Sequence, residues 1–505
     1  MTGDEDGSEP GAVPVYRSPS KVLLAALAGA AGFAGTYAIA GPTHGYLLEP
    51  FSVLLTRYTP AVVFRFLRNE FGSSLQGLLA AGLGVGFLAV LVLVALSIAS
   101  RVDRPETAVV LSSGLAAVGV AGTTGTLWPA AGAGLAVGIV VAVSEAAAGW
   151  RSPPETSRGR RRVLAGVATV AGVGLVGGVL GSRVETYSTP DDDGTKQLSL
   201  DESTREEVDS LLAEAERKSL SVAGLEPVLS TDFYSVDINK VDPEVDAEEW
   251  TLSVTGEVER ELTFDYRDIR AMESEHRFVS LRCVSDSING GALDNALWTG
   301  VPAARFLDDA TPEGNYVLLH GVDDYSVGFP LAAFEDGMLA YGMNGKILPR
   351  KHGYPVRALV PGHWGETNAK WITEIEVTEE EIDGFWEQRG WQGTGPVHTV
   401  AKLTVTDRPE DGRIRVAGHA YAGTRGVSGV EVSTDGGDIW NEAELSEPLP
   451  GDDVWRQWVY EYDSPGERHE VVVRAIEADG TVQPREPMEA HPSGATGWVS
   501  ETVEA

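Results

Sequence analysis

Five apolar stretches, each long enough to cross a bilayer, fill most of the first 182 residues and dictate a helical membrane part. They run over residues 22–40, 75–98, 108–124, 127–148 and 163–181, the third being the shortest. All are rich in Gly and Ala, which lets helix backbones approach closely in lipid. Arg17 and Lys21 precede the first stretch, and Arg101 and Arg104 lie between the second and third. Arg151, Arg158, Arg160, Arg161 and Arg162 precede the fifth. Five crossings put all three sets on one side, and the positive-inside tendency makes that side the cytoplasm. The expectation is a multi-pass protein of the cell membrane, its amino terminus inside and everything after residue 183 extracytoplasmic.

Arg57, Arg65 and Arg68 in the 42–74 loop weaken that rule, and residues 51–68 also read as an interfacial helix. The run Arg160-Arg161-Arg162-Val163-Leu164 allows two readings, a twin-arginine export signal or a plain positive-inside anchor. Residues 1–20, acidic and rich in Pro and Gly, predict a disordered tail. No histidine falls in any of the five stretches, and residues 1–182 hold only His44. A haem bundle needs axial ligands, usually histidine, so no haem is expected. Intramembrane carboxylates are scarce as well, which leaves anchoring as the default role of residues 21–182.

The rest of the chain has a different charge. Residues 183–505 carry 64 acidic and 27 basic side chains, whereas residues 1–182 are nearly balanced. A polyanion needs a basic face, so nucleic acid is excluded as a partner. An acidic, lysine-poor surface suits a salt-adapted, halophilic host, in which concentrated salt screens self-repulsion; the other reading is an acidic interaction surface.

Residues 183–224 read as a polar linker with a charged helix over 201–218, Leu211 and Leu212 lying on one of its faces. Residues 225–390 alternate short strands (250–256, 278–283, 316–319, 372–377) with short helices (266–272, 301–307), the pattern of an α+β domain. Residues 396–505 show strands near 401–405, 413–419, 427–433, 442–445, 455–462 and 470–477, separated by Gly/Asp turns. Regular short strands of this kind predict an all-β, immunoglobulin-like sandwich.

Cys283 is the only cysteine in 505 residues, so its sulfur has no intramolecular disulfide partner. It follows a strand-like Ser280-Leu281-Arg282 and precedes a turn at Asn289-Gly290-Gly291. Rigid strands display reactive groups on such loops, but a lone cysteine is equally at home as a small buried hydrophobe.

Six landmarks follow in order: Phe233-Tyr234, Cys283, Gly321-Val322-Asp323, His352-Gly-Tyr-Pro-Val-Arg357, Pro361-Gly362-His-Trp-Gly365 and Ala369-Lys370-Trp371. Together they resemble the sulfite-oxidase-type molybdopterin oxidoreductase family, and Lys240-Val-Asp-Pro243 is similar to its methionine sulfoxide reductase branch. The resemblance covers residues 225–505 and implies a molybdenum–molybdopterin cofactor. By the same resemblance, Cys283 is the thiolate on molybdenum, a soft donor that such metals favour. His352 and Arg357 contact the pterin and its phosphate, and a guanidinium grips phosphate bidentately. Asn368, Ala369, Lys370, Asp323, Tyr234 and Ser235 fill further cofactor positions. Alone, each has an ordinary alternative: His352 in a turn, Arg357 as a solvated charge, Lys370 on the surface.

The departures bear on substrate. Ile288, the 235–239 segment Ser-Val-Asp-Ile-Asn and Trp391 stand where sulfite oxidases place two arginines and an active-site tyrosine. A sulfite dianion needs charge-assisted donors, so their loss points to a less charged oxide. With Cys283, Trp391 is a catalytic candidate lining the entrance, or it is simply packed. The expected enzyme transfers an oxygen atom and two electrons at molybdenum on a small sulfur or nitrogen compound, S- or N-oxide reduction being favoured. The alternatives are a sulfite oxidase proper and a non-catalytic surface binding protein. Partners are a small-molecule substrate, an unidentified electron donor or acceptor, the lipid bilayer and a second copy of the chain.

Overall fold

The computed structural model describes residues 19–41, 46–59, 73–101, 105–149, 167–176, 178–180, 196–239, 241–409 and 412–504. The chain divides into two compact units, essentially residues 1–187 and 188–505.

The first unit is helical: α1 (Pro19–Ala40), α2 (Leu48–Tyr58), α3 (Ser73–Ala99), α4 (Pro105–Thr124) and α5 (Leu127–Gly149). Four of these contain stretches long and apolar enough to cross a membrane: Lys21–Ala40, Gly77–Ala99, Glu106–Thr124 and Leu127–Ala146. The fifth expected span lies partly outside the described residues; its described portion is helical, and Val170 and Val173 pack on the bundle core. Residues 1–18 of the expected tail, the arginine run at 158–162 and His44 also lie outside them, while Pro19 and Ser20, expected in the tail, begin α1. Small residues set how close the helices come. A Cβ on Gly35 of α1 would sit 2.5 Å from the Gly132 carbonyl oxygen of α5, and one on Gly132 would sit 2.5 Å from that of Gly35. Only hydrogen fits there, the close approach that Gly/Ala-rich spans permit. The short α2 lies against α3, with Phe51 and Phe87 rings 5.6 Å apart.

The second unit begins with a segment that packs rather than dangles. Leu198 is fully buried in the main core, and α6 (Glu202–Lys218) is capped by Asp201, whose carboxylate accepts from the Thr204 amide at 3.1 Å. Val208 and Ala215, seven residues apart and so on one face, are buried, with Leu211 and Leu212 beside them. Charge covers the remaining faces.

Two five-stranded sheets follow. One runs β2 (Leu262–Asp265), β1 (Thr251–Gly256), β10 (Ile372–Thr378), β5 (Tyr316–Gly321), β6 (Ser326–Pro330), with β1 and β10 parallel. The other joins β3 (Glu275–Arg282), β4 (Leu293–Pro302), β7 (Met338–Met343) and β8 (Lys346–Ile347), while β9 (Arg357–Leu359) also pairs with β7. Short helices α7 (Tyr266–Ala271), α8 (Ala303–Ala310) and α9 (Leu331–Glu335) complete the α+β part. The helix expected at 301–307 starts at Ala303, because Val301 and Pro302 still belong to β4.

The C-terminal part is all β. One sheet contains β11 (Val400–Ala401), β12 (Val405–Asp407), β13 (Arg413–Tyr421), β17 (Arg456–Asp463) and β16 (Glu444–Leu445). The other contains β15 (Asn441–Glu442), β14 (Val427–Ser433), β18 (His469–Glu477) and β19 (Val499–Val503). Val416 and Trp458 from the first sheet meet Val430, Val471 and Val473 from the second in one apolar core. The last strand was not expected, since Val499-Ser-Glu-Thr-Val503 buries only its two ends.

Candidate active site

β3 and β4 run antiparallel in unbroken register from Glu275↔Gly300 to Arg282↔Leu293. Where the ladder ends the chain turns: the Cys283 amide donates to the Ala292 carbonyl at 3.0 Å, and the Asp286 amide donates to the Cys283 carbonyl at 3.0 Å. Cys283 is therefore held at the end of a rigid strand, 8% exposed, its Sγ 3.3 Å from the Ser285 hydroxyl.

Tyr234 comes to the same place from another segment. Its amide donates to the Asp294 carboxylate at 2.7 Å, which ties residues 233–235 to β4. A Cβ on Gly365 would lie 2.5 Å from the Tyr234 hydroxyl and 3.2 Å from the Arg282 carbonyl oxygen, so Tyr234, the end of β3 and Gly365 converge. Burial, and then the negative field of the nearby Cys283 thiolate, hold the Tyr234 phenol well above its ordinary pKa, so it remains a donor.

Arg357, at the start of β9, is buried at 4% exposure. Its guanidinium donates to the carbonyls of His352 (3.1 Å) and Asn368 (2.9 Å) and lies 5.1 Å from the Trp298 ring centroid. No described carboxylate pairs with it, and burial lowers its pKa to about 10. A buried cation without an anion is costly, so this position is built to receive one. Gly353, at φ 112°, allows the turn between His352 and Arg357; a Cβ there would meet Arg357 Cβ at 2.9 Å and Lys370 Cβ at 3.1 Å. His352 is buried with its ring edge-on to Phe233 at 5.5 Å, and burial followed by the Arg357, Lys351 and Lys370 charges keeps it neutral.

The segment 368–370 divides its work. Asn368 accepts from the Val360 amide at 2.7 Å and donates to the Trp364 carbonyl at 3.0 Å, so its side chain shapes the backbone. Ala369 is buried and its carbonyl accepts from the Ala358 amide at 2.8 Å. Lys370 Nζ lies 3.1 Å from Ser235 Oγ, 3.0 Å from Asp237 Oδ2 and 3.0 Å from the Lys351 carbonyl. Asp323 follows β5; a Cβ on Gly321 would meet its Oδ1 at 2.6 Å and the Lys370 carbonyl at 2.9 Å. Burial raises the Asp323 carboxyl to about 6.

Trp391 sits differently. Its ring packs 5.1 Å from His491 and joins the apolar cluster that holds Val284 and Trp364. Ile288 is turned toward the C-terminal domain and packs against its core. Further residues surround the site. Tyr325 donates its hydroxyl to the Glu366 carbonyl at 2.8 Å. Arg282, fully buried, pairs with Asp286 at 3.3 Å, and Lys402 pairs with the same carboxylate at 2.5 Å. The Lys402 contact crosses 116 residues, so no local pattern announces it.

The arrangement fits an anionic, phosphate-bearing group beside a soft metal. Among the described residues no carboxylate pairs with the buried Arg357 guanidinium. Among the described residues no group of three or more His, Cys, Asp or Glu side chains could hold a metal ion. Cys283 carries the one thiol in the sequence and would be the protein's donor to a soft metal brought by the cofactor.

Comparison with known proteins agrees. Residues 239–386 match the oxidoreductase molybdopterin binding domain, and residues 396–491 match the Mo-co oxidoreductase dimerisation domain. Mitochondrial sulfite oxidase of Mus musculus is 32% identical over 38% of this chain. The chain spans 43% of that protein and 54% of its Rattus norvegicus counterpart. The uncharacterized oxidoreductase YuiH of Bacillus subtilis is 31% identical over 33% of this chain and 84% of its own length. Among solved structures, the sulfane dehydrogenase SoxCD from Paracoccus pantotrophus aligns with TM-score 0.48 and 19% identity, over 64% of this chain and 95% of that one. An oxidoreductase domain for molybdopterin, its companion dimerisation domain and a relative matched over most of its length lead to one conclusion: this chain belongs to the sulfite-oxidase-type molybdopterin oxidoreductase family.

Proposed function

We propose that this protein is a membrane-anchored molybdenum oxidoreductase that reduces a small, uncharged S- or N-oxide outside the cytoplasmic membrane. The observation that carries the cofactor assignment is the buried Arg357 guanidinium, without a carboxylate, in the same site as Tyr234 and Cys283. Cys283 would bind the metal, Arg357 the cofactor phosphate, and Lys370 with the 368–369 backbone the pterin side. Asp323, Ser235 and His352 would complete the pocket wall. When bound, the cofactor supplies two-electron oxygen-atom transfer at molybdenum. The balanced reaction takes two electrons from an external donor and two protons, releasing the oxide oxygen as water.

The substrate class follows from charge. Ile288 packs against the C-terminal core, the Ser235 hydroxyl is occupied by Lys370 and Lys351, and Trp391 rests on His491. None of the three positions that resemblance assigns to sulfite recognition carries a cation. Arg282 is committed to Asp286 and the His398 carbonyl, and Arg389 stacks on Phe385 at 3.6 Å. Each missing charged hydrogen bond costs about 1.5–3 kcal/mol, so two lower the rate constant by roughly two to four decades. The sulfite oxidase reading keeps the curated relatives on its side. Turnover of the purified protein with dimethyl sulfoxide and trimethylamine N-oxide against a reduced dye, beside sulfite with an oxidised dye, decides between them. Faster oxide reduction is expected; efficient low-micromolar sulfite oxidation would overturn the substrate assignment.

A further inference from the structure

The loop from Cys283 to Ala292 is gripped from outside its own domain. Lys402, in the C-terminal β domain and only 3% exposed, places Nζ 2.5 Å from Asp286 Oδ2 and 2.6 Å from the Gly290 carbonyl oxygen. The next residue makes a two-pronged bond: Asn289 Nδ2 donates to the Leu403 carbonyl at 2.9 Å, and the Leu403 amide donates to Asn289 Oδ1 at 2.9 Å. Asn289 Nδ2 also reaches Glu501 at 3.2 Å. Inside the loop, Asp286 accepts from Arg282 and from the Ala292 amide at 3.1 Å, which closes the turn on itself. Gly290 is required there, since a Cβ would lie 2.3 Å from Asp286 Oδ1.

We propose that Lys402 and Asn289 are positioning residues through which the C-terminal β domain fixes the Cys283 loop. The physical argument is one of commitment. A turn of ten residues with a Gly-Gly pair is soft by itself, because glycine restricts the chain least. A buried ammonium shared by a carboxylate and a carbonyl, with a paired amide next to it, removes that freedom. Metal ligands depend on such outer partners for their orientation. The domain matched to dimerisation thereby also determines where the thiol stands. The proposal rests on reading Cys283 as the functional thiol of the site.

A single cysteine makes the test clean. In cofactor-free protein, iodoacetamide alkylation measures only Cys283, and circular dichroism reports whether the fold persists. Asn289→Ala and Lys402→Met should each raise the alkylation rate of the folded protein about ten-fold or more, as local opening exposes the thiol. Lys402→Arg, which can still span Asp286 and Gly290, should restore most of the protection. Trp455→Phe, which removes the 2.7 Å bond to the Val228 carbonyl elsewhere between the domains, should lower stability without raising the rate. Unchanged alkylation in folded Asn289→Ala and Lys402→Met, or an equal rise in Trp455→Phe, would overturn the proposal. Absence of molybdenum from the native protein would instead defeat the cofactor assignment and leave this result standing.

Discussion

Lys370 donates to the hydroxyl of Ser235 at 3.1 Å, across 135 residues of chain. The same ammonium holds Asp237 at 3.0 Å and the Lys351 carbonyl at 3.0 Å, tying the Tyr234 segment to the loop that carries Arg357. Both side chains of the Lys370–Asp237 pair are mostly buried, at 10% and 13% exposure. Lys370→Met takes the ammonium away from the mostly buried Asp237 carboxylate and should cost about 3 kcal/mol of stability, read as a fall in the urea midpoint at unchanged slope. An unchanged midpoint would show that the pair contributes nothing.

His419 should make the fold acid-sensitive. Its ring stacks on Trp455 at 3.8 Å and bonds the Glu226 carbonyl at 3.0 Å, and burial lowers its pKa to about 4. Above pH ~6.5 neither state binds the proton; as pH falls from there toward 4, only the unfolded state does, so stability is lost. The loss reaches about 3 kcal/mol at pH ~4. Asp453, raised to about 6 by burial, acts in the opposite sense, so the comparison must be with a His419→Gln variant. The stability difference between wild type and variant should shift against the wild type on acidification; a pH-independent difference would refute this.

Glu366 and Glu387 form a buried carboxyl pair with no cation in contact among the described residues. Burial, followed by repulsion from Glu387, raises the Glu366 carboxyl to about 8. The folded state keeps its proton while the unfolded chain releases it near pH ~4.5, so stability declines as pH rises through that window. Glu366→Gln removes the decline. Its melting temperature relative to wild type should be higher at pH ~9 than at pH ~5, and equal differences at both would contradict a Glu366 carboxyl raised by burial.

The proposed topology places residues 183–505 outside the cell. On that topology, which takes all five expected crossings, protease added to intact cells should digest this part and spare the apolar helices, the positive-inside tendency putting the arginine-bearing side in the cytoplasm. Complete protection of the soluble part would reverse the orientation.

The sequence made some of this legible and concealed the rest for physical reasons. Alternation gave β1, since only one of its faces is buried. It failed for β4 and β7, where nearly every residue is buried and the alternating signal disappears. Cys283 stands out in the sequence because it is alone, and the structure sets it between the end of β3 and a Gly turn. His352, Arg357 and Lys370 were readable as an ordered set, and the structure does bring them together. Lys402 was invisible: a single lysine 116 residues from its carboxylate carries no local pattern. Trp391 was expected to be catalytic or packed; the structure sets it against His491. Helix α6 read as part of a linker because its charged faces dominate its composition, yet Val208 and Ala215 seat it on the folded unit.

Metal analysis with sulfur counting at the metal edge, on wild type and Cys283→Ser purified in high salt, tests the central claim most directly. The account requires stoichiometric molybdenum in the wild type and one fewer sulfur donor in the variant, with the fold preserved by the small change in volume. Folded wild-type protein that holds neither molybdenum nor tungsten, or a variant with an unaltered sulfur shell, would contradict it.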